Sequence, residues 1–384
     1  MSNSRVLGID PGTRSFDLCG LEDGRVFYEE SLESQEIAKD PDSLMRAIED
    51  AMPLDLIAGP SGYGVELTYL KDLDLDVLED WYLTYILLLK REDLKTALER
   101  NDPGIAVYSA MVDTALKMKR RDWPVCYLPG VINLPTVPRW RKFNNLDMGT
   151  VDKLCCCVLG IHDQSNKLDV PYSDVSFILV EMGFGYNAAI GVENGKIVDG
   201  VGGTMSGIGF LTSGSIDSEL AQLSGKWEKS DVFTGGASII SGKTTPSELI
   251  DSARDEENCR MSLNAMLEGI EKSVASISVS TPNPKEVLIS GRLSRIDEFR
   301  EEIIQRLQKY APVRSVRWLE GAKKVKEAAQ GYAMIVEGLI GERFSELVNW
   351  IEVKNAKGTA LDYLYHPKGG GVREELQKKT PFKP

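Results

Sequence analysis

The chain has 384 residues, 42% of them hydrophobic and 27% charged, which is enough for two domains with separate cores. A formal net charge of −13 argues against a nucleic-acid surface, because binding to phosphate backbones draws on a basic surplus. The most apolar run, "WYLTYILLL" (81–89), falls far short of the roughly 20 residues that span a membrane, and reads as a buried helix or a contact with a second copy. The opening "MSNSRVLGID" turns polar too soon for a secretory leader, so the expected location is cytoplasmic, with no membrane association.

In chain order, "RVLGID" predicts a first strand that runs into an acidic residue and a glycine turn, "DPGT" (10–13). A second strand, "FDLCGLE", an Asp-Gly hairpin and a third strand, "RVFYEES", complete an antiparallel meander. Alternation follows: a helix over 42–52, a strand over 54–59, a long helical stretch over about 72–100, the short apolar segment "GIAVY", a helix over 110–121 and the strand "VCYLPG". "NLDMGTVDKLCCCVLGI" (145–161) has helical apolar spacing. Its three adjacent cysteines point in different directions on a helix and form no metal cage by themselves. With no C-x-x-C pair and two histidines in the chain, all six cysteines read as reduced, buried thiols.

The pattern then starts again. Residues 6–26 align without a gap on residues 177–197 at a constant shift of 171: Gly12 meets Gly183, Gly20 meets Gly191, Asp10 meets Glu181, Asp23 meets Asn194 and Gly24 meets Gly195. The second half continues with a helical segment over about 246–279, the strand "EVLISG", the helix "RIDEFREEIIQRLQKY", a short strand "VRSVRWL" and a helix over 324–341. The last thirty or so residues read as an appendage with a loose tip. This organisation is α/β, with two lobes and a cleft between them. The expected boundaries are 1–165, 166–350 and a C-terminal extension, 351–384.

Phosphate binding needs backbone N–H groups in tight turns with no bulky side chain in the way. "DPGT" and "EMGFG" (181–185) both offer this, placing Gly12, Thr13, Ser15, Gly183, Phe184 and Gly185 at a nucleotide. Asp10 ends its strand where it would hold Mg²⁺ through water, and Arg14 would offset phosphoryl charge. A rival phosphate loop, "GGASIISGKTT" (235–245), has the relaxed P-loop pattern, but its lead-in is polar where a buried strand is required. Thr245 and Pro246 suit a later helix start, which leaves Lys243 at most on the rim of the cleft.

Five segments in order resemble the superfamily of acetate and sugar kinases, heat-shock chaperone ATPases and actin. "GIDPGT" and "VEMGFG" resemble its two phosphate motifs, "VLISGRL" its adenosine motif, and "NLDMGTVDKL" and "AAQGYAMIVEGLIG" its two connecting helices. The resemblance implies ATP and Mg²⁺ held between two ribonuclease-H-like lobes, with Ser290, Gly291 and Arg292 near the adenosine and Gly203 and Gly331 also at the nucleotide. It implies catalytic roles for Asp10, Glu181, Arg14, Asp152 and Lys153. The chain is most similar to the acetate and butyrate kinase branch and to an archaeal family of predicted butyrate kinases. This implies phosphoryl transfer from ATP to a small acceptor such as a short carboxylate, met by Arg139, Arg141, Asn144 and Asn145.

The departures matter. The branch's "RRxxFHG" histidine is absent, with Asn144 and Asn145 in that segment; its "GTRSGDID" arginine is Thr212; and "AGPSGYG" (58–64) carries no arginine. Each lost cationic partner costs ~2–4 kcal/mol in the transition state. Arg139, Arg141, Lys142 and Lys153 are the nearby replacements. The competing class is an ATP-driven conformational switch that acts on a protein partner. "VLGIDPGTRS" also resembles the first strand of junction-resolving nucleases, against which the second phosphate motif and the net charge speak.

Overall fold

The computed structural model describes residues 4–100 and 103–378. In the first half, β1 (Arg5–Pro11), β2 (Ser15–Glu22), β3 (Arg25–Glu33), β4 (Leu56–Ala58), β5 (Thr68–Tyr69) and β6 (Val125–Tyr127) form a sheet in the order β3-β2-β1-β4-β6-β5. In the second, β7 (Phe177–Met182), β8 (Asn187–Glu193), β9 (Lys196–Val201), β10 (Glu286–Ser290) and β11 (Val313–Ser315) are ordered β11-β10-β7-β8-β9.

The repeat survives in backbone detail. Each meander shifts register after the same glycine, Gly20 in one and Gly191 in the other. Each turns through two residues of positive φ, 50° and 70° at Asp23 and Gly24, 51° and 69° at Asn194 and Gly195. This is the hairpin geometry that Asp-Gly and Asn-Gly favour.

Strand alternation sorts the apolar residues into layers. Leu7 and Ile9 of β1 face the helices Asp42–Asp50 and Pro103–Arg120, while Val6 faces inward. Ile178 and Val180 of β7 face the helices Glu257–Ile277 and Asp297–Leu307, while Phe177 and Leu179 face inward. The inward faces share one core with two connecting helices, Val151–Leu168 and Glu327–Leu339. The second of these packs back on β1, β2 and β4, so the end of the second half is built into the first.

Several predicted elements differ. The stretch over 72–100 breaks into the helix Leu75–Trp81, a π-helical Tyr82–Leu87 and the helix Arg91–Glu99, because Leu88 sits in the left-handed region. "WYLTYILLL" is nonetheless buried inside the first lobe. The short segment "GIAVY" joins the following helix: it lies inside Pro103–Arg120, whose buried Ile105, Ala110, Met111, Ala115 and Met118 follow helical spacing. The segment over 246–279 splits into Pro246–Ser252 and Glu257–Ile277, and "VRSVRWL" keeps a strand only at Val313–Ser315.

The start of the appendage is tied to the first lobe. Thr359 bridges Val65, Gly358 N donates to Glu66 Oε2 at 2.8 Å, and Leu361 is buried in the core of the first lobe. The basic end from residue 379 lies outside the described residues. Among the described residues no helix is long and apolar enough to cross a membrane.

Candidate active site

The two glycine turns meet in one cleft of about 520 Å³. Asp10 leaves β1 and Gly12 N returns to its carbonyl at 3.1 Å; Gly183 N donates to Tyr186 O at 2.8 Å in the matching turn. A Cβ on Gly12 would lie 2.4 Å from Lys326 Nζ, so this turn admits no side chain without displacing that lysine. Thr13, Arg14, Phe184, Gly185, Gly291 and Arg292 complete the rim, with Arg14 stacked 5.6 Å from the Phe184 ring. Arg292 Nη2 donates to the buried Ser15 Oγ at 2.5 Å and ties the two halves together across the cleft.

The floor carries two lysine–carboxylate pairs. Lys326 Nζ lies 2.6 Å from Asp10 Oδ2 and 3.6 Å from Asp17 Oδ2, while Lys153 Nζ lies 2.6 Å from Asp152 Oδ2 and 3.3 Å from Glu181 Oε2. Burial pushes the Asp10 carboxyl up to about 6 despite Lys326, and Glu181 up to about 7 despite Lys153. Burial also acts on Asp152, but Lys153 and the Thr150 hydroxyl outweigh it and hold that group below the usual carboxylate range. Two carboxylates are thus held near neutrality, where small changes in local charge switch them. Glu181 Oε2 is buried and accepts no aligned hydrogen bond, so it has an oxygen to give. Among the described residues no three metal-ligating side chains gather into a direct cage. Two hard carboxylate oxygens fit an ion that keeps most of its own water, as Mg²⁺ does.

A second cavity of about 670 Å³ opens beside the first and shares Gly12, Thr13, Asp152, Lys153 and Tyr186 with it. Its walls come from both halves: Ser61 to Tyr63 after β4, Tyr108 from the helix Pro103–Arg120, and Tyr186, Gly203, Thr204 and Phe233 from the second half. Asp147 stands in it, accepting from Gly149 N at 3.1 Å, Thr204 N at 3.1 Å and Thr204 Oγ1 at 3.2 Å.

Other expected residues fall elsewhere. Gly331 is buried where the connecting helices cross, its absent Cβ 2.0 Å from Cys155 O, so close packing accounts for it and the nucleotide cleft does not include it. Ser290 is fully buried beside Glu181 in the sheet, behind the cleft wall. Arg139, Arg141, Asn144 and Asn145 line neither cavity. Arg139 Nε donates to Tyr365 Oη at 3.0 Å, and Arg141 to Val198 O at 2.7 Å. Asn144 Oδ1 accepts from Tyr365 N and His366 N, both at 2.8 Å, and Asn145 Nδ2 donates to Arg141 O at 2.9 Å. This turn is spent on fastening the C-terminal extension. Lys142 is buried against Tyr363, and Thr212 donates to Val232 O at 2.9 Å. In "GGASIISGKTT", Lys243 pairs with Glu256 at 2.7 Å outside the cleft, and Thr245 caps the helix Pro246–Ser252 as its sequence suggests.

Lys326, Asp17, Asp147, Tyr63, Tyr108, Tyr186 and Phe233 were not singled out by the sequence. Only Lys326 carries a local signal, a lysine at the head of the second connecting helix.

A family model described as "Protein of unknown function (DUF1464)" matches residues 8–366. No curated protein matches the chain. Among solved structures, a propionate kinase from Francisella tularensis subsp. tularensis SCHU S4 superposes with a TM-score of 0.56 at 13% identity, over 86% of this chain and 98% of that one. Acetate kinase from Entamoeba histolytica gives 0.53 at 13% identity over 80% and 87%, and that of Porphyromonas gingivalis 0.53 at 13% over 80% and 88%. At such identities the likeness establishes the fold alone: two α/β lobes about a cleft, as in these acetate and propionate kinases.

Proposed function

The chain belongs to the family described as "Protein of unknown function (DUF1464)", and we propose that it is an ATP-dependent phosphotransferase acting on a small acceptor. The supporting observation is the pairing of two duplicated glycine turns, each carrying an acid, over Lys153 and Lys326 in a cleft that opens into a second cavity.

In this reading the turns at Gly12 and Gly183 receive the phosphates of ATP. Gly291 and Arg292 lie on the nucleoside side. Asp10 and Glu181 would hold Mg²⁺ through its waters, and the ion would supply charge neutralisation of the phosphates. Lys153 and Lys326, each already facing carboxylates, are placed to exchange them for phosphoryl oxygens, and Arg14 to approach from the rim. Asp152 and Lys153 border both cavities, at the point where donor and acceptor would meet. A short carboxylate is the acceptor implied by the acetate and butyrate kinase resemblance. Calorimetry with ATP, ADP and GTP, with and without Mg²⁺, tests the nucleotide part: ATP affinity that depends on Mg²⁺ is expected, and no nucleotide affinity overturns it.

The absence of a guanidinium from the acceptor cavity favours a second reading, an ATP-dependent switch acting on a protein partner or a second copy. Turnover stimulated by a co-purifying protein and by no small molecule would select it.

A further inference from the structure

We infer, resting on the phosphotransferase reading, that the acceptor cavity takes an uncharged, hydroxyl-bearing small molecule and excludes carboxylates. Its lining brings three tyrosines and a phenylalanine together with Asp147, Asp152 and Lys153, and includes no arginine.

Within the lining itself an anionic acceptor meets one ammonium, Lys153, since Lys229 contacts the Tyr63 and Phe233 rings without joining that lining. Lys153 is held by Asp152 at 2.6 Å and faces Glu181 at 3.3 Å, so the cavity presents two carboxylates against one engaged ammonium. A carboxylate brought into this space would be desolvated beside like charges, the arrangement that specificity by exclusion uses. A cationic acceptor is opposed as well. Lys229 Nζ already lies 4.8 Å from the Tyr63 ring centroid and 5.8 Å from that of Phe233, on the aromatic faces a cation would seek.

A neutral hydroxyl compound suits what remains. The Tyr186 hydroxyl is buried with no hydrogen-bond partner, and burial pushes its pKa up, which keeps it protonated as a donor. Asp147 uses Oδ1 on Gly149 N and Oδ2 on the backbone and hydroxyl of Thr204, yet a carboxylate oxygen has two lone pairs and Oδ1 spends one. Hydroxyls both donate and accept, so they satisfy Asp147 and Tyr186 together. The aromatic rings offer faces for the C–H surface of a polyol or sugar ring.

The transfer balances without a further reactant. The acceptor hydroxyl oxygen bonds to the γ-phosphorus as the bond from phosphorus to the β,γ-bridging oxygen breaks. ADP leaves with that electron pair, and the hydroxyl proton passes to Asp152, the carboxylate bordering both cavities.

The experiment incubates the full chain with MgATP and two panels: acetate, propionate and butyrate, with hydroxylamine to trap acyl phosphates; and glycerol, neutral hexoses and N-acetylhexosamines. ADP release is measured, and ATP binding is measured separately by calorimetry. At least one neutral compound is expected to raise ADP release tenfold or more over the acceptor-free rate, with no hydroxamate from the acids. Phe233→Ala should raise KM for that compound at least fivefold, with ATP affinity unchanged within twofold; Tyr186→Phe, at the border of both cavities, should raise the same KM at least fivefold. Turnover of carboxylates, or of neither panel by a chain that binds ATP, overturns the inference. No ATP binding at all overturns the reading of the cleft on which it rests.

Discussion

Lys326 Nζ sits 2.6 Å from Asp10 Oδ2, joining the head of the second connecting helix to the end of the first strand. The two residues are more than three hundred positions apart, and their contact closes the floor of the cleft. Burial holds the Asp10 carboxyl up at about 6 even with this ammonium beside it.

Asp10→Asn removes the metal-facing charge and keeps the shape. Mg²⁺-dependent ATP affinity should fall at least tenfold, and ~10²-fold or more in turnover, as the loss of a charged partner at a phosphoryl site generally costs. Calorimetry beside circular dichroism separates this from unfolding. Unchanged affinity would remove Asp10 from the nucleotide site.

The pH dependence follows from Asp10 at about 6 and Glu181 at about 7. Both are raised above their ordinary values, so their contribution to stability is fully present below pH about 4 and is lost as pH rises through 6 to 7. Metal binding needs the ionised forms and runs the other way. MgATP affinity should therefore rise between pH 5.5 and 8 while the melting temperature gained from MgATP rises with it. Glu181→Gln should flatten the upper part of both curves and leave the ligand-free chain at least as stable at pH 8.

Gly331→Ala should destabilise the chain by ~1–3 kcal/mol, because the added Cβ would lie 2.0 Å from the backbone oxygen of Cys155 and the crossing helices must part. Gly370→Ala in the helix Pro367–Gln377 meets nothing within 4 Å and should be neutral or stabilising by ~0.5–1 kcal/mol. Urea unfolding of the two variants gives the comparison.

Leu361→Ala should cost ~2–4 kcal/mol, since the side chain is buried in the first lobe although it comes from the C-terminal extension. Denaturation of this variant against Val372→Ala, an exposed position further along, tests whether the extension is part of the fold.

Arg139→Ala and Arg141→Ala should change turnover less than threefold; Arg139→Ala, which loses Tyr365, should also loosen the extension, seen as faster proteolysis beyond residue 350. A large loss in kcat with an intact extension would return these arginines to the chemistry.

The two meanders, their acid-bearing turns, the hairpins at Asp23-Gly24 and Asn194-Gly195, and the two-lobed α/β fold were legible in the amino-acid sequence. Each rests on local signals: apolar alternation, residues that tolerate positive φ, and a repeat that doubles every signal. The same local reasoning dismissed the P-loop pattern at Lys243, which pairs with Glu256. Local patterns misled where apolar runs were short or long: "GIAVY" became helix, and 72–100 broke at Leu88. Only tertiary structure decided which charges share the cleft. Lys326 meets Asp10 and Asp17, partners across the β1–β2 hairpin, because the last long helix packs back on the first sheet, and Tyr108, Asp147 and Phe233 meet because the two lobes face each other. Arg139 and Asn144, beside a resembling motif, are claimed by Tyr365 and the extension instead. A side chain's chemistry is written in its residue type, but its partner is set by long-range packing, to which spacing along the chain gives no access.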